Sequence, residues 1–288
     1  LPWIQPPKVV AELTGVRDDL PAHYADGCHV LGYKRAQLMT DCVYGSPEGE
    51  KTAVLVGDSH AAQWLPALDV YAQENDWRLE VHTKAACPVI DVPVWERSQR
   101  STFDRCINWR TKVLKRIREI KPDVVYVGLS RDYELWDGRV IQSSDATGYW
   151  GDQLTAYLTT VGKPAGEVVL LAETPFLRYD PVDCLADDDI ANCDPPTAVV
   201  VDAAYGALER QAADESGAKL LSVNELLCDE LSCPVVVDDI VVFRDNHHLT
   251  ASYMERLAEP IGNLLEGRPA YPTPVPTLPP ASPEADGA

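Results

Sequence analysis

Two short motifs, one near each end of the chain, carry the residue types needed for nucleophilic catalysis. The first reads GDSH at residues 57–60, and the second reads RDNHHLT at residues 244–250. A serine hydroxyl becomes a nucleophile when an imidazole accepts its proton, and a carboxylate beside the imidazole fixes the required tautomer. Asp245 and His248 are three residues apart, so on one turn both side chains project the same way. We therefore predict a catalytic triad of Ser59, His248 and Asp245.

Each motif taken alone also has a simpler interpretation. Serine at a helix N-terminus usually caps the helix, and Asp245 could cap the last helix, which would leave His248 as a surface histidine. The two motifs together favour the triad. Gly57 permits a tight turn before Ser59, and the free amides of a first helical turn can stabilise an oxyanion. We therefore expect the Ser59 amide to supply part of an oxyanion hole.

Apolar runs alternate with helical patterns along the chain, and these elements must position the two motifs. Strands are predicted at residues 52–57, 77–83, 123–129, 167–172 and 219–223. Helices are predicted at residues 61–75, 106–120, 149–161, 198–215 and 250–265. Strands that are apolar throughout indicate a parallel sheet covered on both faces, and right-handed crossovers then give a three-layer α/β/α sandwich. Ligands bind such sheets beyond the carboxyl ends of the strands, where Ser59 is expected.

Composition divides the chain into three parts. Residues 1–50 are rich in turn formers and are predicted to be a lead-in segment packed on the core, and residues 51–268 are predicted to form the catalytic domain. Residues 269–288 are rich in proline with small and acidic residues, so they should form a flexible tail. The chain begins without methionine or a signal region, which indicates a segment of a longer chain or a processed product.

The formal net charge is -20, from 45 acidic and 25 basic residues. Such a field repels a nucleic-acid backbone, so nucleic acid is excluded as a partner. No apolar run in the sequence reaches the roughly 18 residues that a membrane span needs.

The eight cysteines fall into four couples that are close in sequence: Cys28 and Cys42, Cys87 and Cys106, Cys184 and Cys193, and Cys228 and Cys233. Eight cysteines allow many other pairings, and zinc ligation and free buried thiols are the competing interpretations. The spacings are irregular and include no tight Cys-x-x-Cys pair, which argues against zinc. Disulfides in these couples would indicate an oxidising, extracytoplasmic compartment.

The two motifs resemble those of the SGNH hydrolase superfamily. More narrowly, the chain is similar to the SGNH domains fused to membrane-bound acyltransferase-3 proteins of bacteria. This similarity runs over roughly residues 28–266 and is carried by GDSHAAQWLPAL at 57–68, Ala86-Cys87-Pro88, the helix with Cys106, Pro122-Asp123-Val124-Val125, and RDNHHLT at 244–250.

The resemblance implies a flavodoxin-like SGNH fold and O-acylation, such as O-acetylation, of a cell-envelope glycan. It places the domain at the extracytoplasmic face of the bacterial plasma membrane, with the acyl donor delivered by an acyltransferase-3 membrane domain of the same parent chain. Ser59 matches the nucleophile, His248 the base, Asp245 its orienting acid, and Asp58 an acidic neighbour with a structural role. We expect no organic cofactor and no metal.

The chain departs from the superfamily pattern after the third predicted strand. The name SGNH also refers to a glycine and an asparagine that complete the oxyanion hole, whereas this chain reads Gly-Leu-Ser-Arg-Asp at residues 128–132. Gly128, Ser130 and Arg131 are therefore the candidates to line the site beside Ser59. Removing one oxyanion donor costs an enzyme roughly 100- to 1,000-fold in turnover.

Three other functions compete with acyl transfer to a glycan. An esterase or deacetylase would release the acyl group to water from the same Ser59 intermediate. A metal-dependent phosphoesterase would use Asp58 and His60, with ligands from Asp245, His247 and His248. A glycan-binding spacer without catalysis would explain the missing asparagine.

Several other residues have two open interpretations. His247 either approaches the acceptor or is a solvated neighbour of His248, and His60 either covers the pocket floor or faces the helix surface. Asp187, Asp188 and Asp189 form a solvated loop or, alternatively, a calcium site. One or two of five tryptophans could offer a sugar ring a flat platform, while the others pack in the core: Trp64, Trp95, Trp109, Trp136 and Trp150.

Overall fold

A central sheet with helices on both faces organises the computed structural model, which describes residues 13–32 and 35–271. We label its strands β1–β7 in chain order: His29–Val30, Val43–Gly45, Lys51–Gly57, Trp77–Lys84, Val124–Gly128, Glu167–Leu171 and Lys219–Leu221. The main helices are α1–α7: Ser59–Ala62, Leu65–Glu74, Asp104–Ile120, Thr147–Gly162, Ala203–Ser216, Ala251–Arg256 and Ala258–Leu265.

The five predicted strands lie side by side in the order β4-β3-β5-β6-β7, and all of them are parallel. Beyond β4 the sheet has two more short strands: β1 pairs with its carboxyl end in parallel, and β2 pairs with its first half antiparallel. The register brings Gly57 of β3 opposite Gly128 of β5. The predicted parallel α/β/α sandwich is therefore confirmed, with one antiparallel strand added at its edge.

Side chains along β3 point alternately to the two faces of the sheet, so this strand contributes to two hydrophobic cores. Ala53 and Leu55 belong to one buried cluster, which packs against α2, α6 and α7. Val54 and Val56 belong to the other, which packs against α3, α4 and α5. Because successive side chains of a strand point to opposite faces, an uninterrupted apolar strand fills both cores at once.

Three predicted helices are each divided in two by a local signal. The helix predicted at 61–75 breaks at residues 63–64, and Pro66, which has no amide hydrogen, stands in the first turn of α2. The helix predicted at 198–215 breaks before Asp202, whose side chain caps α5. The closing helix begins after Thr250, which caps α6, and it breaks at Leu257.

The lead-in segment is tied into the main sheet. Its described residues, 13–32 and 35–50, contribute β1 and β2, neither of which was predicted from the sequence. The Cys28–Cys42 disulfide joins the residues just outside these two strands. The other bonds are Cys87–Cys106, Cys184–Cys193 and Cys228–Cys233, so all four predicted couples are disulfide-bonded.

Short elements fill the connections. In the described residues, short hairpins pair Trp95–Glu96 with Ser101–Thr102, Glu134–Trp136 with Val140–Gln142, and Val236–Val237 with Ile240–Val241. Short helical segments lie at Val16–Asp18, Ala22–Tyr24, Ser143–Ala146, Pro181–Asp187, Ile190–Asn192, Thr197–Val200 and Asn224–Leu227. Within residues 13–32 and 35–271, no helix has the length and apolar character that crossing a membrane requires. Most of the tail predicted at 269–288 lies outside the described residues.

Candidate active site

Ser59 is the first residue of α1, directly after the carboxyl end of β3. The turn depends on Gly57, because a Cβ there would lie 1.8 Å from the carbonyl oxygen of Gly128. Capping falls to Asp58, whose side chain accepts a hydrogen bond from the His60 amide at 2.8 Å. The Ser59 side chain is therefore free of the capping role and remains partly exposed.

The second motif forms a bend that is closed by its own acid. Asp245 Oδ1 accepts hydrogen bonds from the amides of His247 and His248 at 2.9 and 2.8 Å. Its other oxygen, Oδ2, lies 2.8 Å from His248 Nδ1. Because Thr250 caps the helix that follows, Asp245 is available to orient the imidazole.

The two motifs meet although they are 189 residues apart in sequence. His248 Nε2 lies 2.8 Å from Ser59 Oγ. With Nδ1 bonded to a carboxylate, the imidazole presents an unprotonated Nε2 to the hydroxyl, which is the geometry of a serine nucleophile with its base.

Burial and hydrogen bonding set the charges of the pair. Burial lowers the pKa of His248 to about 3, in spite of the opposing bond to Asp245, so the imidazole is neutral and able to accept a proton. Burial on its own would raise the pKa of Asp245, but the hydrogen bond from His248 and the backbone bond from His247 overcome it and lower that pKa. The carboxylate therefore stays ionised, as an orienting group must.

Gln63 fastens the second motif to the first, and it was not predicted from the sequence. Its Oε1 accepts the amide of Leu249 at 2.9 Å, and its Nε2 donates to Thr174 Oγ1 at 3.1 Å. Leu177 adds a bond from its amide to the Asn246 carbonyl at 2.7 Å. The bend that holds His248 is thus attached to both the helix after β3 and the loop after β6.

Asp58 connects the serine turn to the loop after β5. This completely buried carboxylate accepts bonds from the Ser130 amide at 2.8 Å and from the Tyr133 hydroxyl at 2.5 Å. Burial raises the pKa of Asp58, while His60, Tyr133 and backbone donors lower it in part. These contacts give Asp58 a role in holding the turn.

The residues predicted to line the oxyanion hole differ in whether they have a hydrogen-bond donor that is still free. The amide of Ser130 is bonded to Asp58, and the amide of Arg131 is bonded to Glu173 at 2.7 Å. Gly128 packs against α1, since a Cβ there would lie 2.8 Å from Ala61 Cα. The Ser130 hydroxyl accepts the Asp132 amide at 3.2 Å, which leaves its own hydrogen free to donate.

Three histidines cluster at the site. One ring nitrogen from each of His60, His247 and His248 lies within 4.8 Å of the other two. Asp58, which the phosphoesterase hypothesis needs, is bonded elsewhere. His60 is buried and pairs with Glu173, so it does not lie on the helix surface, whereas His247 is partly exposed and contacts His60.

Comparison with known proteins identifies the family. A family model described as "SGNH domain (fused to AT3 domains)" matches residues 27–262. The chain belongs to this family. Among curated proteins, no sequence matches the chain significantly.

A solved structure supports the fold of this SGNH domain. The periplasmic domain of a lipopolysaccharide acetyltransferase from Salmonella ser. Paratyphi A superposes with a TM-score of 0.64 at 19% identity, over 88% of this chain and 99% of that one. A catalytic mutant of an acetylxylan esterase from Geobacillus stearothermophilus is more distant, with a TM-score of 0.44 and 11% identity over 79% and 99% of the two chains. The first of these comparisons supports the fold described above.

A cavity of about 850 Å³ opens beside the site of the SGNH domain, between α4 and α5. Phe176 and Arg131 form its end nearest the histidines, since the Phe176 ring stacks on His247 and His60 with centroids 5.2 and 5.3 Å away. The remaining lining combines apolar side chains and glycines with hydroxyl and carboxylate groups, and the latter come from Ser143, Ser144, Thr147, Asp152, Thr155 and Asp202. Such a mixed lining suits a ligand that has both hydroxyl groups and apolar faces.

The tryptophans of the SGNH domain divide as the sequence suggests. Trp64, Trp109 and Trp150 are buried in the two cores. Trp95 and Trp136 stack on each other with centroids 4.8 Å apart, and Trp136 is exposed. Only this pair presents a flat aromatic surface among the five candidates.

The acidic run after Cys184 is exposed in the structure. Asp187, Asp188 and Asp189 all reach solvent, and the Cys184–Cys193 disulfide bridges the loop that holds them. Asp188 accepts hydrogen bonds from the Asp189 amide and from Asn192 Nδ2, both at 2.8 Å. These contacts match the solvated, bridged loop expected from the sequence.

Proposed function

We propose that this SGNH domain is a serine-dependent O-acyltransferase that moves an acetyl or similar group onto a cell-envelope glycan. One observation carries the proposal: the Ser59 hydroxyl, the His248 imidazole and the Asp245 carboxylate form a continuous chain with both contacts at 2.8 Å. The family of domains fused to membrane acyltransferases supports transfer as the purpose of this chemistry.

The acylation step follows from the geometry. His248 Nε2 takes the Ser59 proton as Oγ attacks the carbonyl carbon of the acyl donor, and the resulting imidazolium is stabilised by Asp245. His248 then gives that proton to the leaving group as the bond between the acyl carbon and the donor breaks. The product is an acyl ester on Ser59 and a neutral His248.

Transfer repeats these steps in reverse. His248 takes the proton of an acceptor hydroxyl, whose oxygen attacks the Ser59 ester. The bond to Ser59 Oγ breaks, and Oγ receives the proton back from His248. Water in place of the hydroxyl would give hydrolysis, so an esterase is the alternative function of the same machinery.

An oxyanion develops in both steps and needs donors. The Ser59 amide, at the start of α1, makes no hydrogen bond to any residue in the described ranges, so we assign it as one donor. The Ser130 hydroxyl is the second, because its hydrogen is still free whereas the amides of Ser130 and Arg131 are already bonded.

Disulfide bonds and the family of the domain support a setting outside the cytoplasm. Four disulfides need an oxidising compartment, and the family is fused to membrane domains that would bring the acyl donor to the same side. The cavity next to Phe176, which has hydroxyl and carboxylate groups in its lining, supports a glycan as the acceptor. We therefore place the domain at the extracytoplasmic face of the bacterial plasma membrane.

Covalent labelling tests the function. Wild type and Ser59→Ala are incubated with a fluorophosphonate or an activated acetyl ester, and the intact masses are compared. We expect one adduct on wild type, no adduct on Ser59→Ala, and ester turnover lower in the variant by at least about 10⁴-fold. Ser252→Ala, which changes an exposed serine in α6, is the matched control and should label like wild type.

The acyl-enzyme can then be offered a choice of acceptors. An oligosaccharide that becomes acetylated supports the transferase, whereas release of acetate alone supports the esterase. Failure of correctly folded wild type to form any adduct would contradict both, and tight glycan binding without labelling would support a non-catalytic spacer.

A further inference from the structure

A second chain of carboxylate and imidazole groups runs beside the triad. Glu173 Oε1 lies 2.5 Å from His60 Nδ1, and His60 Nε2 lies 2.9 Å from His247 Nδ1. The side chains of Glu173 and His60 are almost completely buried, while His247 is partly exposed. Glu173 and His60 form an ion pair without an aligned hydrogen bond, because the Glu173 Oε1 atom lies off the direction of the His60 Nδ1–H bond. The proposed triad does not use any of these three residues.

The buried end of this second chain is held firmly. Glu173 Oε2 accepts the amide of Arg131 at 2.7 Å, and the Glu173 amide donates to Glu209 at 2.9 Å. Burial and the neighbouring Glu173 raise the pKa of Glu209 well above its usual value, so Glu209 stays protonated beside the Glu173 carboxylate. Phe176 lies nearly parallel to both His60 and His247, at 16° and 11°, and fixes the planes of the two rings.

These contacts determine which nitrogen of His247 carries its proton. Burial on its own would lower the pKa of His60, but the charge and contact of Glu173 overcome it and raise that pKa. His60 therefore keeps both ring protons and donates Nε2–H to His247 Nδ1. Burial and the nearby His60 lower the pKa of His247, which leaves it neutral with its proton on Nε2.

His247 Nε2–H is thus a donor that faces away from the buried chain. It makes no hydrogen bond to any part of the chain that the structure describes, and the residue is partly exposed. The ring centroids of His247 and His248 lie 4.0 Å apart. Two imidazoles this close can engage neighbouring oxygens of one small ligand, one as a donor and the other as a base.

We infer that His247 binds the acyl acceptor and selects one with two adjacent hydroxyl groups, as on a neutral sugar ring. His247 Nε2–H donates a hydrogen bond to one of the two oxygens, and its proton is not transferred. His248 takes the proton from the adjacent hydroxyl, whose oxygen attacks the Ser59 ester, and that proton then passes to Ser59 Oγ. Glu173 and His60 are positioning residues. This inference rests on the proposed function, since it names the substrate class of the same site.

A pair of small acceptors tests the inference without knowledge of the glycan. An activated acetyl ester acylates Ser59, and 1,2-propanediol and 1-propanol then compete for the acyl group, with both acetate esters measured by mass. The product ratio reports only the choice of acceptor, because both alcohols draw on the same acyl-enzyme. We expect wild type to prefer the diol and His247→Phe, which keeps the stacked ring, to lose that preference by about threefold to tenfold.

A second variant separates hydrogen bonding from packing. His247→Gln keeps an N–H donor and should restore part of the preference for the diol, which a purely structural role for the ring would not do. An unchanged product ratio in His247→Phe, with Ser59 still acylated, would overturn the inference and leave the proposed function standing. Absence of acylation in wild type would instead overturn the proposed function itself.

A variant of Glu173 tests the positioning residues. Glu173→Gln removes the charge that keeps His60 protonated, and burial then favours the neutral imidazole, so the preference for the diol should be lower than that of wild type at each pH from 6 to 8. A preference in the variant equal to that of wild type over this range would contradict the role of Glu173. The charged and titratable groups that face the two rings are Asp58, Asp132, Glu173, Arg244, Asp245 and His248, and all except Glu173 are unchanged in this comparison.

Discussion

Two of the carboxylate–imidazole pairs among the described residues have the same separation between their atoms and different surroundings. Glu80 and His82 lie 2.8 Å apart on β4, and Asp245 and His248 lie 2.8 Å apart in the second motif. Glu80 is also bonded to Arg116 at 2.7 and 2.9 Å and to Arg78 at 3.1 Å. Its charge is thus neutralised by cations, whereas the pair at the second motif continues to a hydroxyl.

The difference shows what turns such a pair into a reactive site. Glu80 and His82 are neighbours on one face of a strand, and both are fully buried, so no ligand reaches them. His248 lies beyond the end of the sheet, and its second nitrogen meets the partly exposed Ser59. The second pair therefore lies at the carboxyl edge of the sheet and is accessible to solvent. These two properties distinguish a pair that is placed to react from one that only stabilises the fold.

The largest expected effect concerns the orienting acid. Asp245→Asn keeps the shape of the side chain but no longer fixes the tautomer of His248, so ester turnover should fall by roughly 10³- to 10⁴-fold. Kinetics with an activated acetyl ester measure the loss, and thermal unfolding should show a stability close to that of wild type. Turnover within tenfold of wild type would remove the distinction between the two pairs.

The reverse pattern is expected for the structural pair. Glu80→Gln leaves Arg116, Arg78 and His82 without their anion, which should lower the free energy of unfolding by about 3 kcal/mol, the lower end of the range for a broken buried pair because the arginines keep part of their hydration. Denaturant titration measures this change. Turnover per folded molecule should be unaffected, since Glu80 lies outside the active site.

A surface pair provides the matched control for Glu80. Glu134→Gln removes the carboxylate that pairs with the exposed Arg97, and it should change stability much less, since solvent screens that pair. If the two substitutions lowered the free energy of unfolding equally, the burial of Glu80 would make no contribution to the strength of its ion pairs.

Acid should affect the activity through one pair and the stability through the other. Protonated His248 cannot take the serine proton, and because burial lowers its pKa to about 3, kcat/KM should stay flat from pH 8 down through pH 5 and decline only in stronger acid. A decline centred near pH 6.5 would contradict the neutral, buried base.

The stability of the protein should depend on the ionisation of Glu80 over a similar pH range. In spite of burial, the bonds from His82 and the arginines lower the pKa of Glu80 to about 2, so its contribution is present above the unfolded value of 4.5 and is lost as pH falls toward 2. Circular dichroism at each pH distinguishes this unfolding from protonation of His248. In Glu80→Gln, the free energy of unfolding should decrease less over the same range of acid pH.

The sequence predicts the sheet and the two motifs well because their signals are local. Strands β3, β5 and β6 are mainly runs of apolar residues, and GDSH and Asp-x-x-His are short, characteristic patterns. Strands β1 and β2 have only two and three residues, and their pairing is provided by β4, so no period reveals them. The breaks in the long helices follow from Pro66 and from Asp202 and Thr250, which are signals that the periodic pattern conceals.

Residues that support the site were harder to predict because their partners are distant in sequence. Gln63 meets a residue 186 positions away, and Glu173 meets Arg131 across 42 positions. One signal was present, since Glu173 is a polar residue that follows β6 at the edge of the sheet where ligands bind. The role of its partner, His60, could be recognised only from the contact between the two side chains in the structure.

The bond between Gln63 and Leu249 also links the proposed activity to the folding of the chain. Ser59 and His248 are 189 residues apart, and the imidazole reaches the serine only when the bend before α6 has docked against the helix after β3. Contacts between such distant residues form slowly. A nascent or partly refolded chain would therefore carry an inert serine, and recovery of labelling after dilution from denaturant would time the final closure of the molecule.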